Sequence, residues 1–211
     1  MTTSISLNNF ITPSDLGLPV TNKSMVPSPN TEKGPAPQLS EVDMLQEGLE
    51  LIKRWEGLEL EAYPDPATNG LPITIGYGCT RYDDGSLIQM GDRITQHEAN
   101  SMLKDQVQKD FLPALQKIPY WNEMSPRQKG ALLSYAWNMG VGFIGDTDNF
   151  ATINRALTNK DWAAVPEAFM LYVKGGGRVM LGLKRRRHSE GILWQGQSPN
   201  NAHSAGVALI A

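Results

Sequence analysis

Apolar residues recur at helical spacing where the chain first becomes rich in them. Val42, Leu45, Leu49 and Ile52 are separated by alternating steps of three and four residues, which places them on one face of a helix. Residues 40–43 resemble a capping box, the usual start of a helix. The pattern therefore predicts a first helix that starts at residue 40 and ends before Gly57.

The next segment has the composition of a turn and then of a strand. Residues 63–72 contain three prolines together with Asp, Asn and Gly, which are the residues that dominate turns. Ile73, Thr74 and Ile75 follow, and their side chains alternate between apolar and polar. We therefore expect a loop over 63–72 that leads into a small sheet or hairpin.

The chain from Ile94 onward has mostly helical patterns. A second capping box at 95–98 precedes an apolar series at helical spacing, and Ser125 with Pro126 gives a cap and a proline at the first helical position. Gly140 ends that helix. Further helices are predicted over residues 149–157, 162–173 and 183–194. The sequence as a whole predicts an α+β protein that is mainly α.

The two ends of the chain differ from this central part. Residues 1–39 carry few charges and are rich in Thr, Ser, Asn and Pro, so they bury too little apolar area to offset the entropy of ordering. Residues 197–211 have a similar composition. We therefore predict a flexible arm over 1–39, a folded domain over 40–196 and a C-terminal tail over 197–211.

Charge and cysteine content exclude several classes of protein. A formal net charge of -3 argues against a chain built to neutralise nucleic acid. Cys79 is the single cysteine, so no internal disulfide forms, and the spacing of Cys and His matches no metal site. Residues 1–38 lack a basic start followed by an apolar run, and no later segment approaches the roughly 18 consecutive apolar residues of a membrane span. We expect folding in the cytoplasm and no stable insertion into a membrane.

Two carboxylates are candidates for chemistry. Residue 56 continues the apolar stripe of the first helix but is Glu, and a carboxyl group withdrawn from water can act as a general acid. Asp65 lies between two prolines, where a short acidic side chain stays solvated. Carboxylates in unlike environments are suited to acid and base roles. The alternatives are an exposed or ion-paired Glu56 and an Asp65 that only forms a turn.

Two other features have more than one interpretation. Thr74 presents its hydroxyl on the opposite strand face from Ile73 and Ile75, where it either holds a water or is a simple strand residue. Residues 184–187 are four consecutive basic residues on a predicted helix. They form a solvated face or contact an anionic polymer, and because such a run spreads around the helix, one or two are expected to turn inward and pair with acids.

Several ordered blocks resemble phage-type lysozymes, glycoside hydrolase family 24. The blocks are Glu56-Gly57-Leu58, Tyr63-Pro64-Asp65, ITIGYG at 73–78, GDRIT at 91–95, LSYAWNMG at 133–140, GGRV at 176–179 and GLKRRR at 182–187. Each block is short, but their common order over residues 41–196 is specific. The resemblance implies a lysozyme-like fold in which a small β lobe and a helical lobe flank a substrate groove.

The resemblance also implies roles for individual residues and no cofactor. Glu56 would protonate the bond between N-acetylmuramic acid and N-acetylglucosamine, while Asp65 and Thr74 would stabilise the positive sugar and position the water. The remaining positions that match are Thr80, Trp137, Asn138 and Thr152, which would line the groove, and Arg186, which would approach Glu56. Trp137 is equally compatible with a core position. Cys79 replaces a His of some members, and a small packed side chain is favoured there over a redox-sensitive one.

The resemblance implies an endolysin, made in the host cytoplasm and released to the cell wall through a separate pore protein. One alternative is a virion-associated lysozyme that is anchored through the N-terminal arm or the C-terminal tail. Another is a catalytically silent protein that binds peptidoglycan or serves as a structural part of the virion. Binding to nucleic acid rests on residues 184–187 alone and is disfavoured by the net charge.

Overall fold

The computed structural model describes residues 45–65 and 70–210, which are mainly helical with two short hairpins. The helices are α1 (Gln46–Glu56), α2 (Gln96–Gln106), α3 (Leu112–Leu115), α4 (Pro126–Met139), α5 (Ala151–Thr158), α6 (Val165–Phe169), α7 (Leu181–Trp194) and α8 (Pro199–Ala208). The strands are β1 (Glu59–Asp65), β2 (Gly70–Gly76), β3 (Lys174–Gly175) and β4 (Arg178–Val179). A π-helical turn, Val107–Phe111, joins α2 to α3. The expected α+β class is confirmed.

Helix α1 has the buried face that its spacing predicts. Leu45, Leu49 and Ile52 are fully buried, whereas residues 40–44 of the expected helix lie outside the described part. The helix ends at Glu56 because Gly57 adopts a positive φ of 75°, a conformation that favours glycine. The chain then enters β1 after one more residue, so α1 leads directly into the β lobe.

Strands β1 and β2 form the predicted hairpin, but the loop between them is shorter than expected. Glu59 pairs with Gly76, Tyr63 with Thr74, and Asp65 with Gly70. The prediction of a loop over 63–72 is therefore wrong for residues 63–65 and 70–72, which belong to the strands. Residues 66–69 lie outside the described part of the chain. The register is irregular on both sides of residues 63–64, and such irregularities accommodate prolines that cannot donate to the ladder.

The predicted starts of α2 and α4 are confirmed. The Thr95 hydroxyl accepts the Glu98 N–H at 3.2 Å, and the Glu98 carboxylate accepts the Thr95 N–H at 2.7 Å. Ser125 and Gln128 make the same reciprocal pair at the start of α4. These caps satisfy donors that a helix leaves free at its N-terminus.

The sequence interpretation was wrong about two later segments. Residues 162–173 were predicted as one helix, but only Val165–Phe169 is helical, since Pro166 is tolerated only in a first turn. Residues 199–208 were assigned to a tail, but they form α8, which packs on α1 and α7 in the same compact unit. Ser198 caps α8 by accepting the Asn201 N–H at 3.3 Å.

The small side chains of α8 explain why its packing face was not evident in the sequence. Ala202 and Gly206 are buried, and a Cβ atom at Gly206 would lie 2.6 Å from the Arg185 carbonyl oxygen. The helix therefore packs by close backbone approach instead of a stripe of large apolar residues. No helix within 45–65 and 70–210 is long and apolar enough to cross a membrane.

Two apolar clusters define a helical lobe and a β lobe. The larger cluster surrounds α4, in which residues 131–136 are all buried. The smaller contains Ala62, Ile75 and Ile88, and Ile94 packs against both. Helix α1 belongs to the larger cluster. Glu56, at its C-terminal end, therefore lies where the chain passes from the helical lobe to the β lobe.

Helices α1 and α4 cross at two glycines. A Cβ atom added at Gly48 would lie 2.6 Å from the Gly130 carbonyl oxygen, and one added at Gly130 would lie 2.6 Å from the Gly48 nitrogen. The obstacle in each case is backbone, which cannot move aside without shifting a helix. The short distance between α1 and α4 at their crossing therefore depends on both residues lacking a side chain.

We predict that Gly130→Ala lowers the free energy of unfolding by about 1–3 kcal/mol, because the added methyl group overpacks the crossing. Gly182→Ala is the matched control, since a Cβ atom there meets nothing within 4 Å, and its stability should stay unchanged or rise. Urea denaturation followed by circular dichroism measures both. Equal stability of the two variants would contradict the close crossing.

Candidate active site

Glu56 makes an ion pair with a buried arginine. Arg186 Nη1 donates to Glu56 Oε1 at 2.6 Å, and this confirms the approach of Arg186 that the resemblance implies. The side chain of Arg186 is 7% exposed and that of Glu56 is 26% exposed. Glu56 is therefore less buried than its place on the stripe predicted, because α1 ends at this residue.

Arg186 belongs to a buried charge network centred on Glu190. Glu190 is fully buried and its Oε1 accepts Arg187 Nη2 and the Ser134 hydroxyl, both at 2.9 Å, with Arg186 Nε at 3.4 Å. Arg187 Nε lies 2.7 Å from the other carboxylate oxygen. Two members of the basic run thus turn inward to pair with acids, as the sequence predicted.

Burial acts strongly on the charged groups of this network. It raises the pKa of Glu190, and the two neighbouring guanidinium groups counteract that effect. Burial likewise lowers the pKa of Arg187, which lies 4.7 Å from the centroid of the Tyr135 ring. Buried charges are tolerated when they are paired and hydrogen-bonded, so each member of the network depends on the others.

Thr74 and Asp65 are placed by the hairpin. Thr74 is buried, and its hydroxyl lies 3.5 Å from the Pro72 carbonyl oxygen. Its strand partner is Tyr63, two residues before Asp65. The backbone of Asp65 ends β1, and its side chain lies outside the described residues. The catalytic role of both residues stays a prediction.

Cys79 is a packed residue of the β lobe. It is fully buried, and its backbone exchanges two hydrogen bonds of 2.9 Å with Ile75. Burial raises the pKa of its thiol to about 11. A thiol that stays protonated is a poor nucleophile, so the interpretation of Cys79 as a small packed side chain is confirmed.

The four groove candidates lie on three different segments. Thr80 lines a cleft between residues 80–85 and α2. Trp137 is half-buried and stacks on Phe111, with ring centroids 5.1 Å apart. The exposed Asn138 accepts Arg187 Nη2 at 3.0 Å, and Thr152 is half-buried in the first turn of α5. Asn138 is therefore joined to the Glu190 network.

Comparison with known proteins shows the family of this chain. A family model described as Phage lysozyme matches residues 53–190, which include Glu56 and every residue of the Glu190 network. The chain belongs to the phage lysozyme family. The match ends before α8, so the C-terminal helix lies outside the part that the family model describes.

Individual relatives support the same assignment. The chain is 33% identical over 148 residues to an endolysin of Salmonella phage P22, covering 69% of this chain and 93% of that protein. It is 35% identical over 156 residues to an endolysin of Bacillus phage PZA, covering 74% of this chain. It spans only 56% of the length of the PZA protein.

Solved structures of the family have the same fold. An endolysin from Escherichia coli O157:H7 phage FAHEc1 is similar with a TM-score of 0.60 and 32% identity, covering 75% of this chain and 94% of that one. A mutant of P22 lysozyme is similar with a TM-score of 0.57 and 30% identity, covering 71% and 95%. The lysozyme-like fold expected from the sequence is thereby confirmed.

Sequence reasoning did not single out Glu190, although a signal was present. Glu190 follows Arg186 by four residues and Arg187 by three, and opposite charges at these spacings lie on one helix face. Ser134, which hydrogen-bonds to Glu190 from α4, had no such signal because its contact spans 56 residues.

We predict that Glu190→Gln lowers the free energy of unfolding by about 3 kcal/mol or more, because the fully buried Arg187 then loses its countercharge and Arg186 keeps only its ion pair with Glu56. The matched control is Glu61→Gln. Glu61 pairs with Arg93 at 2.6 Å on the surface, where an ion pair contributes less than about 1 kcal/mol. Chemical denaturation compares the two variants. A change below 1 kcal/mol at Glu190 would contradict the role of the network.

We also predict that the Cys79 thiol reacts slowly with Ellman's reagent in the folded protein. With a pKa of about 11, roughly one thiol in a thousand is ionised at pH 8. The same protein in urea is the control and should react rapidly. Equal rates in both states would contradict burial.

The raised pKa of the Cys79 thiol also affects the pH dependence of stability. Since the folded pKa is raised, the thiol stabilises the fold below pH 9, and that contribution is lost as the pH rises toward 11.

Proposed function

We propose that the protein is a peptidoglycan hydrolase, an N-acetylmuramidase that cleaves the β-1,4 bond between N-acetylmuramic acid and N-acetylglucosamine. The observation that carries this proposal is the contact of Glu56 with Arg186 at 2.6 Å, at the end of α1 and inside the family match. A partly exposed carboxyl group beside a buried cation is accessible to substrate and held in one orientation. Both are requirements for a positioned acid.

In the proposed reaction, Glu56 donates its proton to the glycosidic oxygen, and the bond from that oxygen to the sugar carbon breaks. A water molecule attacks the same carbon and gives its proton to the Asp65 carboxylate, which also stabilises the positive charge of the sugar. The Thr74 hydroxyl holds the water. Loss of that proton from Asp65 to solvent and uptake of another by Glu56 restore the enzyme.

The proposed substrate groove follows from the segments that carry the remaining candidates. Thr80 comes from the β lobe, whereas Trp137, Asn138 and Thr152 come from the helical lobe. A glycan strand between the lobes would contact both sets. The half-buried Trp137 has an aromatic face of the kind that packs against sugars, and Asn138 has an amide for hydrogen bonds.

We further propose that the protein acts as a phage endolysin in host lysis. Support comes from the relatives in phages P22 and PZA, both of which are named endolysins. The proposed route is synthesis in the host cytoplasm followed by release to the cell wall through a separate pore protein.

We predict that Glu56→Gln lowers the rate of peptidoglycan cleavage by about 10²–10⁴-fold with the fold intact, because the amide cannot donate the proton. Release of reducing sugar from purified peptidoglycan measures the rate, and circular dichroism checks folding. Glu59→Gln, an exposed acid three residues later, is the control and should keep the wild-type rate. An active Glu56→Gln variant would show that another group is the acid.

The bond that is cleaved can be identified from the same digests. Borohydride converts each new reducing end to its alcohol, so a muramidase yields the alcohol of N-acetylmuramic acid. The alcohol of N-acetylglucosamine would contradict the proposed bond, and an anhydro sugar without a new reducing end would contradict hydrolysis.

A further inference from the structure

Trp55, the residue next to the proposed acid, is tied to the helix that carries Arg186. Its indole Nε1 donates to the Ser189 hydroxyl at 2.8 Å. The two residues are 134 positions apart, so this bond joins the last turn of α1 to the middle of α7. Ser189 itself is fully buried, which protects the bond from water.

Ser189 also contacts the backbone of Arg186. Its hydroxyl donates to the Arg186 carbonyl oxygen at 2.7 Å while it accepts from Trp55, which uses the single hydroxyl proton and one lone pair. The contacts therefore form a closed ring. It runs from Glu56 along the backbone to Trp55, through Ser189 to Arg186, and back to Glu56 through the ion pair.

Helix α8 packs against Trp55, one member of this ring of contacts. The centroids of the Trp55 indole and the His203 ring lie 4.9 Å apart in an edge-on arrangement. A Cβ atom at Gly206 would lie 3.0 Å from Trp55 Cζ2, so the indole fills the available space. Packing of this kind restricts Trp55 to one rotamer.

We propose that Trp55 and Ser189 are positioning residues that hold the Glu56 carboxyl group and the Arg186 guanidinium group in their relative orientation. This inference rests on the proposed function of Glu56. The ion pair joins the Glu56 side chain, at the end of α1, to the buried Arg186 on α7, but it leaves the backbones of the two helices without a direct link. The indole bond, together with the bond from Ser189 to the Arg186 carbonyl oxygen, links the two backbones that carry them.

The test compares Trp55→Phe, Ser189→Ala and the double variant on soluble peptidoglycan fragments. Each single change should lower kcat by about tenfold to a hundredfold, the range for a displaced catalytic group, and leave KM within about twofold. The double variant should be no slower than the slower single variant, because both changes break the same bond.

Trp194→Phe is the matched control. Trp194 Nε1 also donates a bond of 2.8 Å, to the Trp162 carbonyl oxygen, but that bond has no part in the ring. Its loss should lower the Tm about as much as Trp55→Phe does and leave kcat unchanged. A role of Trp55 in stability alone would instead give the two variants the same kcat.

The outcomes separate this inference from the proposed function. An active wild type with folded, fully active Trp55→Phe and Ser189→Ala variants would overturn the positioning role and leave the proposed function intact. A folded wild type without activity would overturn both. If Trp55→Phe does not fold, Ser189→Ala decides the question. It removes the same bond between Trp55 and Ser189, and it changes the volume of the side chain only slightly.

Discussion

The burial of Glu190 between two guanidinium groups is the constraint on which the arrangement of the site depends. A fully buried carboxylate requires partners, and Arg186, Arg187 and Ser134 provide them from α7 and α4. Arg187, three residues before Glu190 on the same helix, makes the shorter ion pair with the Glu190 carboxylate. The guanidinium group of Arg186 can therefore also reach Glu56. It contacts Glu190 weakly through Nε and donates to Glu56 through Nη1, so the buried network presents one cation to the site.

Helix α1 connects that network to the β lobe. Its apolar face is part of the helical core, and its crossing with α4 at Gly48 and Gly130 brings the two backbones close together. The helix ends at Glu56, and β1 starts at Glu59. The proposed acid therefore belongs by packing to the helical lobe, while Thr74 and the backbone of Asp65 belong to the hairpin that follows. The proposed catalysis between the two lobes requires such a division, because the proposed groove for the substrate lies between them.

Helix α8 shows how a segment without large apolar residues becomes part of a site. Its small residues allow backbone contact with α7, and its His203 packs on Trp55. Burial and the positive charge of Arg54 lower the pKa of His203, which favours the neutral ring beside an arginine. The match to the family model ends before this helix.

The sequence by itself determined the features that depend on neighbours along the chain. The stripe of α1, the caps at Thr95 and Ser125, the stop at Gly57 and the inward turn of the basic run all arise from periodicity or local hydrogen bonding. Only the tertiary structure decided which residues meet across long separations. Ser134 with Glu190, Trp55 with Ser189 and α8 with α7 depend on how helices cross, and close packing of small or polar residues leaves no periodic signal. The degree to which Glu56 is exposed was also a tertiary property, because it depends on what surrounds the end of a helix and not on the spacing along it.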